Sequence, residues 1–164
     1  MTDEQQTTAN SGPGTEAFDL NQFLPYRLSN LADQISAELA HLYAASYGLN
    51  VAQWRILAWL RHSEVLTARE IRANTHMDKA QVSRAVQALV DRHLISRSPA
   101  NADQRRHDLR LTPDGQALLV QLIPEAQAWE ANLLATLTVD EHQTLMQTMT
   151  TLERRLTQLK KSPG

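Results

Sequence analysis

The sequence predicts a mainly α protein with a small β-hairpin wing: a winged helix-turn-helix lobe plus N- and C-terminal dimerisation helices. Three observations carry this. Two short capped helical stretches follow each other closely between Thr67 and Arg92. Two alternating stretches suited to a hairpin come straight after them. Long segments on either side repeat apolar residues at three- and four-residue steps.

Taken in order, the first sixteen residues are rich in Thr, Gln, Asn, Gly and Ser and offer nothing to bury, which predicts a disordered arm over residues 1–18. From Asn21 to Ser46, Phe23, Leu28, Leu31, Ile35, Leu39, Leu42 and Tyr43 mark an amphipathic helix with Pro25 in its first turn, within a dimerisation segment at 19–48. Tyr47-Gly48-Leu49 breaks the period. Asn50 with Gln53 then opens a helix that runs to about His62.

The DNA-binding region is assigned to 49–112. Thr67 with Glu70 forms a capping box for a helix over Ala68 to about Asn74, and Asp78 caps the next, which turns Val82, Val86, Leu89 and Val90 inward. Leu94-Ile95-Ser96-Arg97 and His107-Asp108-Leu109-Arg110-Leu111 predict a hairpin whose long basic tip spans Pro99 to Arg106. Thr112-Pro113 is an N-cap followed by a proline in the first helical position, and it opens a long helix through Leu134 that Pro124 should kink. Thr138 with Glu141 begins a last helix carrying Leu145, Met149, Leu152, Leu156 and Leu159 on one stripe. The stripes in 19–48 and 113–164 need a partner, and the same helices of a second copy are the simplest one.

Hydrophobic residues at 42% and charged residues at 21% place the chain among ordinary globular proteins. The net charge is −2, yet nine Lys or Arg face five acids between Thr67 and Arg110, while the remainder holds seven bases and thirteen acids. A basic middle between acidic flanks is the footprint of a nucleic-acid-binding segment on a non-binding scaffold. No apolar run is long enough for a membrane span, and the polar start is unlike a signal peptide, so a cytoplasmic protein without membrane contact is expected. With no cysteine, thiol sensing and thiolate metal sites are excluded. The six histidines show no paired spacing on one helix, so no metal and no cofactor are expected. A phosphate-cradling glycine loop, a G-x-S-x-G elbow and an H-E-x-x-H helix are all missing, which argues against an enzyme.

Val82-Ser83-Arg84, Leu94-Ile95-Ser96-Arg97, Asp103-Gln104-Arg105 and Leu111-Thr112-x-x-Gly115, in this order and spacing, resemble the multiple-antibiotic-resistance regulator (MarR) family. The resemblance covers about residues 20 to 160. It implies a homodimer with winged lobes at two corners of a triangle and intertwined terminal helices at the third. Two departures stand out: His93 occupies the turn where most members have glycine, and Gln104 stands where many have a base. Histidine tolerates positive φ better than most residues, so the turn is expected to survive.

On this reading the second helix of the lobe enters the major groove. With Val82, Val86 and Leu89 inward, Lys79, Gln81, Ser83, Arg84 and Gln87 face double-stranded DNA, where Gln can read adenine and Arg guanine. Arg84, Ser83 and Gln87 are the favoured base readers, with a phosphate contact nearly as good a reading of Arg84. The resemblance implies that Arg105 enters the adjacent minor groove, held by Asp103, and Arg106, Arg110 and Arg97 are candidates for added phosphate contacts. Thr67 and Thr75 are further candidates for backbone contact. The expected function is a homodimeric repressor of a pseudo-palindromic operator.

The family also implies release by a small aromatic or anionic ligand at the junction of lobe and dimerisation helices. Tyr26, His41, Tyr43, Trp54 and Arg55 would line that junction as aromatic walls with a cationic handle. The rival class is a winged-helix module for protein-protein contact, whose basic wing grips an acidic partner without sequence-specific DNA binding.

Overall fold

The computed structural model describes residues 18–100 and 103–161, with side chains for all of these except 100 and 103–106. The expected arm over 1–18 therefore lies, but for Phe18, outside the described residues. Six helices and three strands follow one another: α1 (Leu24–Tyr47), α2 (Val51–Ser63), β1 (Leu66–Thr67), α3 (Ala68–Thr75), α4 (Lys79–Asp91), β2 (Ile95–Ala100), β3 (Asp103–Leu111), α5 (Pro113–Leu134) and α6 (Val139–Lys161). The chain forms two compact units that divide within α1, after Ala37.

The first unit ends at Ala37, just past the middle of α1. Phe18 packs edge-on to Phe23 with ring centroids 5.2 Å apart, while Leu24, Leu28 and Leu31 remain exposed.

The second unit holds the core. Helix starts are set locally: Asn50/Gln53, Thr67/Glu70, Asp78/Gln81 and Thr138/Glu141 each exchange reciprocal side chain-to-backbone hydrogen bonds, satisfying amides that have no partner inside the helix. Ile56, Leu57 and Leu60 of α2, Ile71 of α3, Val82 and Leu89 of α4, Ile95, Leu109, Leu119 and Leu122 are all essentially buried in one cluster. The inward positions expected on α4 are the ones observed, except that Val90 is only partly buried and Ala85 joins the core.

The sheet is antiparallel in the order β1-β3-β2. It differs from the expected hairpin in two ways. β1 adds a third strand of two residues, with Leu66 opposite Leu109 and Thr67 opposite Asp108. The wing strands also extend beyond Arg97 and before His107, pairing Ser98 with Asp108 and Pro99 with His107 before the register shifts. Backbone pairing does not depend on apolar side chains, so a polar tip segment can still be strand.

The wing is pinned to α5 where β3 ends. The Thr112 hydroxyl accepts from the Gly115 amide at 3.1 Å and donates to the His93 carbonyl, and the Thr112 amide donates to the Leu94 carbonyl. His93 adopts φ 57°, the left-handed conformation its position requires. α5 continues as one helical element through Pro124, and α6 has no buried residue. Among the described residues, no helix is long and apolar enough to cross a membrane.

Candidate nucleic-acid interface

α4 presents two faces. Val82, Ala85, Val86 and Leu89 are buried, while Lys79, Ala80, Gln81, Ser83, Arg84 and Gln87 are exposed. All of the exposed set but Ala80 divides between two cavities on either side of the helix.

Lys79, Ser83 and Gln87 open onto a cavity of about 540 Å³ between α3, α4 and the base of the wing, together with Arg97 of β2. Arg69 and Arg72 of α3 and His107 of β3 line the same space. Four fixed cations and an imidazole therefore surround one groove, with the apolar side chains of Val82, Val86 and Leu109 beneath them. Arg97 lies 3.5 Å from the His107 ring nitrogen Nδ1, bringing the two wing strands' polar groups together across the register. Such a cationic surface with side-chain amide and hydroxyl groups suits phosphate contacts along its edges and donor-acceptor contacts to base edges at its centre.

Gln81 and Arg84 lie on the other flank, in a cavity of about 610 Å³ shared with Asn50, Arg55 and His76. The Gln81 side-chain oxygen accepts from the Asp78 amide at 3.1 Å, which orients the side chain and leaves both NH₂ donors for a ligand. Gln87 is also engaged, donating to Asp91 at 2.8 Å one turn further on.

Sequence reasoning passed over Arg69, Arg72 and His107 as groove residues. The arginines stand three apart on α3, and Ile71 between them is fully buried, which turns both outward. Thr67, which borders the same cavity, and Thr75 are the further candidates for backbone contact. Both are buried: the Thr67 hydroxyl serves the α3 cap, and the Thr75 hydroxyl donates to the Ile71 carbonyl at 2.6 Å. Asp103, Arg105 and Arg106 fall in β3, but their side chains lie outside the described residues.

Of the residues expected at a ligand pocket, Tyr43 and Trp54 stack with centroids 5.7 Å apart and planes at 23°. Tyr43 is buried, and burial pushes its phenol above the ordinary value, with the Arg55 guanidinium pulling the other way. Trp54 is half-buried, and Arg55 and His41 are exposed. Tyr26 belongs to the first unit, where it lines a small recess with Arg27, Asn30 and Leu31. Among the described residues no group of three or more His, Asp or Glu is placed to hold a metal ion.

The chain is similar to known proteins of one family. The MarR family model matches residues 47–106. The multiple antibiotic resistance protein MarR of Salmonella typhimurium is 28% identical over 127 residues, covering 76% of this chain and 88% of that protein. The crystal structure of a MarR family transcriptional regulator from Silicibacter pomeroyi DSS is 30% identical, with a TM-score of 0.75 over 89% of this chain and 99% of that one. Wild-type apo MarR from E. coli is 25% identical, with a TM-score of 0.65 over 77% of this chain and 93% of that one.

Proposed function

This chain belongs to the MarR family of transcriptional regulators, which are not enzymes, and from that premise we propose that it is a homodimeric repressor of a pseudo-palindromic operator, released by a small ligand. One observation carries the reading: Arg69, Arg72, Lys79 and Arg97 surround a single groove beside the exposed Ser83 and Gln87 of α4. Cations at the margins supply affinity that falls with salt, and the groups on α4 supply discrimination between base pairs. Arg84, on the opposite flank of α4, and the wing residues Asp103, Arg105 and Arg106 extend the same reading along the duplex.

Pairing is supported by apolar surface. Leu145, Met149, Leu152, Leu156 and Leu159 are exposed along one stripe of α6, a heptad spacing that calls for a facing helix. A two-fold pair of lobes then reads two half-sites about one helical turn apart. For the ligand, Trp54 and Arg55 offer an aromatic face and a cation, with Tyr43 stacked on Trp54 and His41 one half-turn before it on α1, a combination suited to an aromatic acid.

The test is a gel shift of the purified protein on the DNA upstream of its own gene, at two salt concentrations, with excess nonspecific competitor. We expect a discrete, competitor-resistant and salt-sensitive complex, dispersed by the cognate aromatic acid. No complex there or on genome-wide selected sites would overturn the reading.

A further inference from the structure

The end of α4 is held from two sides by consecutive residues. Arg92 directs its guanidinium at the open end of α1, donating to the Tyr47 carbonyl at 2.8 Å and to the Gly48 carbonyl at 2.9 Å. Carbonyls at a helix C-terminus have no amide of their own helix to accept from, and the rigid arginine fork can serve two at once. His93 comes next, and its carbonyl takes the hydroxyl of Thr112, the residue that caps α5.

Tyr47 closes the figure. Its phenol donates to the Glu125 carboxylate on α5 at 2.7 Å, across 78 positions of sequence. Glu125 follows Pro124, and a proline deprives the carbonyl four residues earlier of its helical donor. The phenol thus grips α5 beside the place where that helix is least able to resist bending.

Three helices are tied pairwise: α4 to α1 by Arg92, α1 to α5 by Tyr47, and α5 to α4 through Thr112 and His93. Two such ties would leave a hinge, whereas three make a braced triangle. Arg92, Tyr47 and Glu125 line neither cavity beside α4, so the brace lies apart from the groups proposed to touch DNA.

We propose that Arg92, Tyr47 and Glu125 are positioning residues that set which half-site spacing the protein accepts, by holding α4 at a fixed angle to α5. The inference rests on the paired, operator-reading function proposed above. With the brace loosened, each α4 swings, unsuitable spacings are reached at little cost, and the best spacing loses the advantage of a preorganised fit.

The experiment uses full-length protein and a set of operators whose half-sites are moved apart or together by single base pairs. Wild type is compared with Tyr47→Phe, which deletes only the hydroxyl, with Glu125→Ala, and with Glu125→Gln, which keeps an acceptor oxygen. We expect wild type to favour one spacing by about ten-fold or more, on the order of one charge-assisted hydrogen bond, and Tyr47→Phe and Glu125→Ala to bring this to about two-fold. Glu125→Gln should restore most of the preference. Tyr47→Phe and Glu125→Ala proteins that melt with wild type and keep its preference overturn the brace alone. A wild type indifferent to spacing overturns the paired reading and the brace with it. Should one variant fold poorly, the other, on a different helix, decides between these outcomes.

Discussion

The backbone at Gly115 approaches Leu94 so closely that a Cβ there would overlap the Leu94 carbonyl oxygen and stand 3.1 Å from its carbon. The start of α5 and the start of the wing are in contact through main chain, and only glycine leaves room. Gly115→Ala must separate the two or distort them. We expect a loss of about 2–3 kcal/mol, the upper part of the range for overpacking a close-packed site. Thermal melting checks this, with a fall of roughly 5–10 °C for a domain of this size.

Thr67 caps α3 with a buried hydroxyl that both accepts the Glu70 amide and donates to the Glu70 carboxylate. Thr67→Ala should cost about 1 kcal/mol, as loss of a cap does. Thr67→Ser should recover most of it. If the hydroxyl instead served DNA, the alanine variant would keep its melting temperature and lose affinity.

Arg72 and Arg97 face the same groove from α3 and from the wing. Replacing either with Ala should weaken binding to specific and nonspecific DNA alike and lower the salt slope by about one per lost phosphate contact. Shift assays across a salt series read both quantities. A change confined to one operator position would mean base reading instead.

Glu141 accepts from the Thr138 amide and hydroxyl, each at 2.8 Å, and these bonds hold its carboxyl below the usual glutamate range. With the folded value below the unfolded one, its contribution to the start of α6 is complete above the unfolded value. It is lost as pH falls through the folded value. A carboxyl-detected NMR titration should place the midpoint low in wild type and move it upward in Thr138→Ala.

Met149 and Leu156 lie on the exposed apolar stripe of α6. Met149→Glu with Leu156→Glu should yield a monomer by light scattering, with operator affinity reduced at least about a hundred-fold once the second half-site is no longer tethered. A dimer that persists would move the pairing surface off this helix.

Much of this was legible because helix starts and the buried face of α4 are encoded within a few residues: a cap and its partner stand three apart, and Val82, Val86 and Leu89 recur at the helical period. β1 was not, since two residues carry no period. The outward turn of Arg69 and Arg72 depends on where Ile71 packs, and the sequence alone does not say which face of so short a helix is inside. The Tyr47–Glu125 bond joins positions too distant for any local pattern to couple.

The four reciprocal caps, at Asn50/Gln53, Thr67/Glu70, Asp78/Gln81 and Thr138/Glu141, bear on how the chain reaches this state. Each closes a loop of three residues and needs nothing from the rest of the molecule. Local closures form at little entropic cost, so each boundary can be drawn as its own residues leave the ribosome, those of α2, α3 and α4 before α5 exists for Tyr47 to meet. The long-range bonds then select among helices already framed, and the slow search is left to the wing, whose strands must find β1 from the far side of two helices.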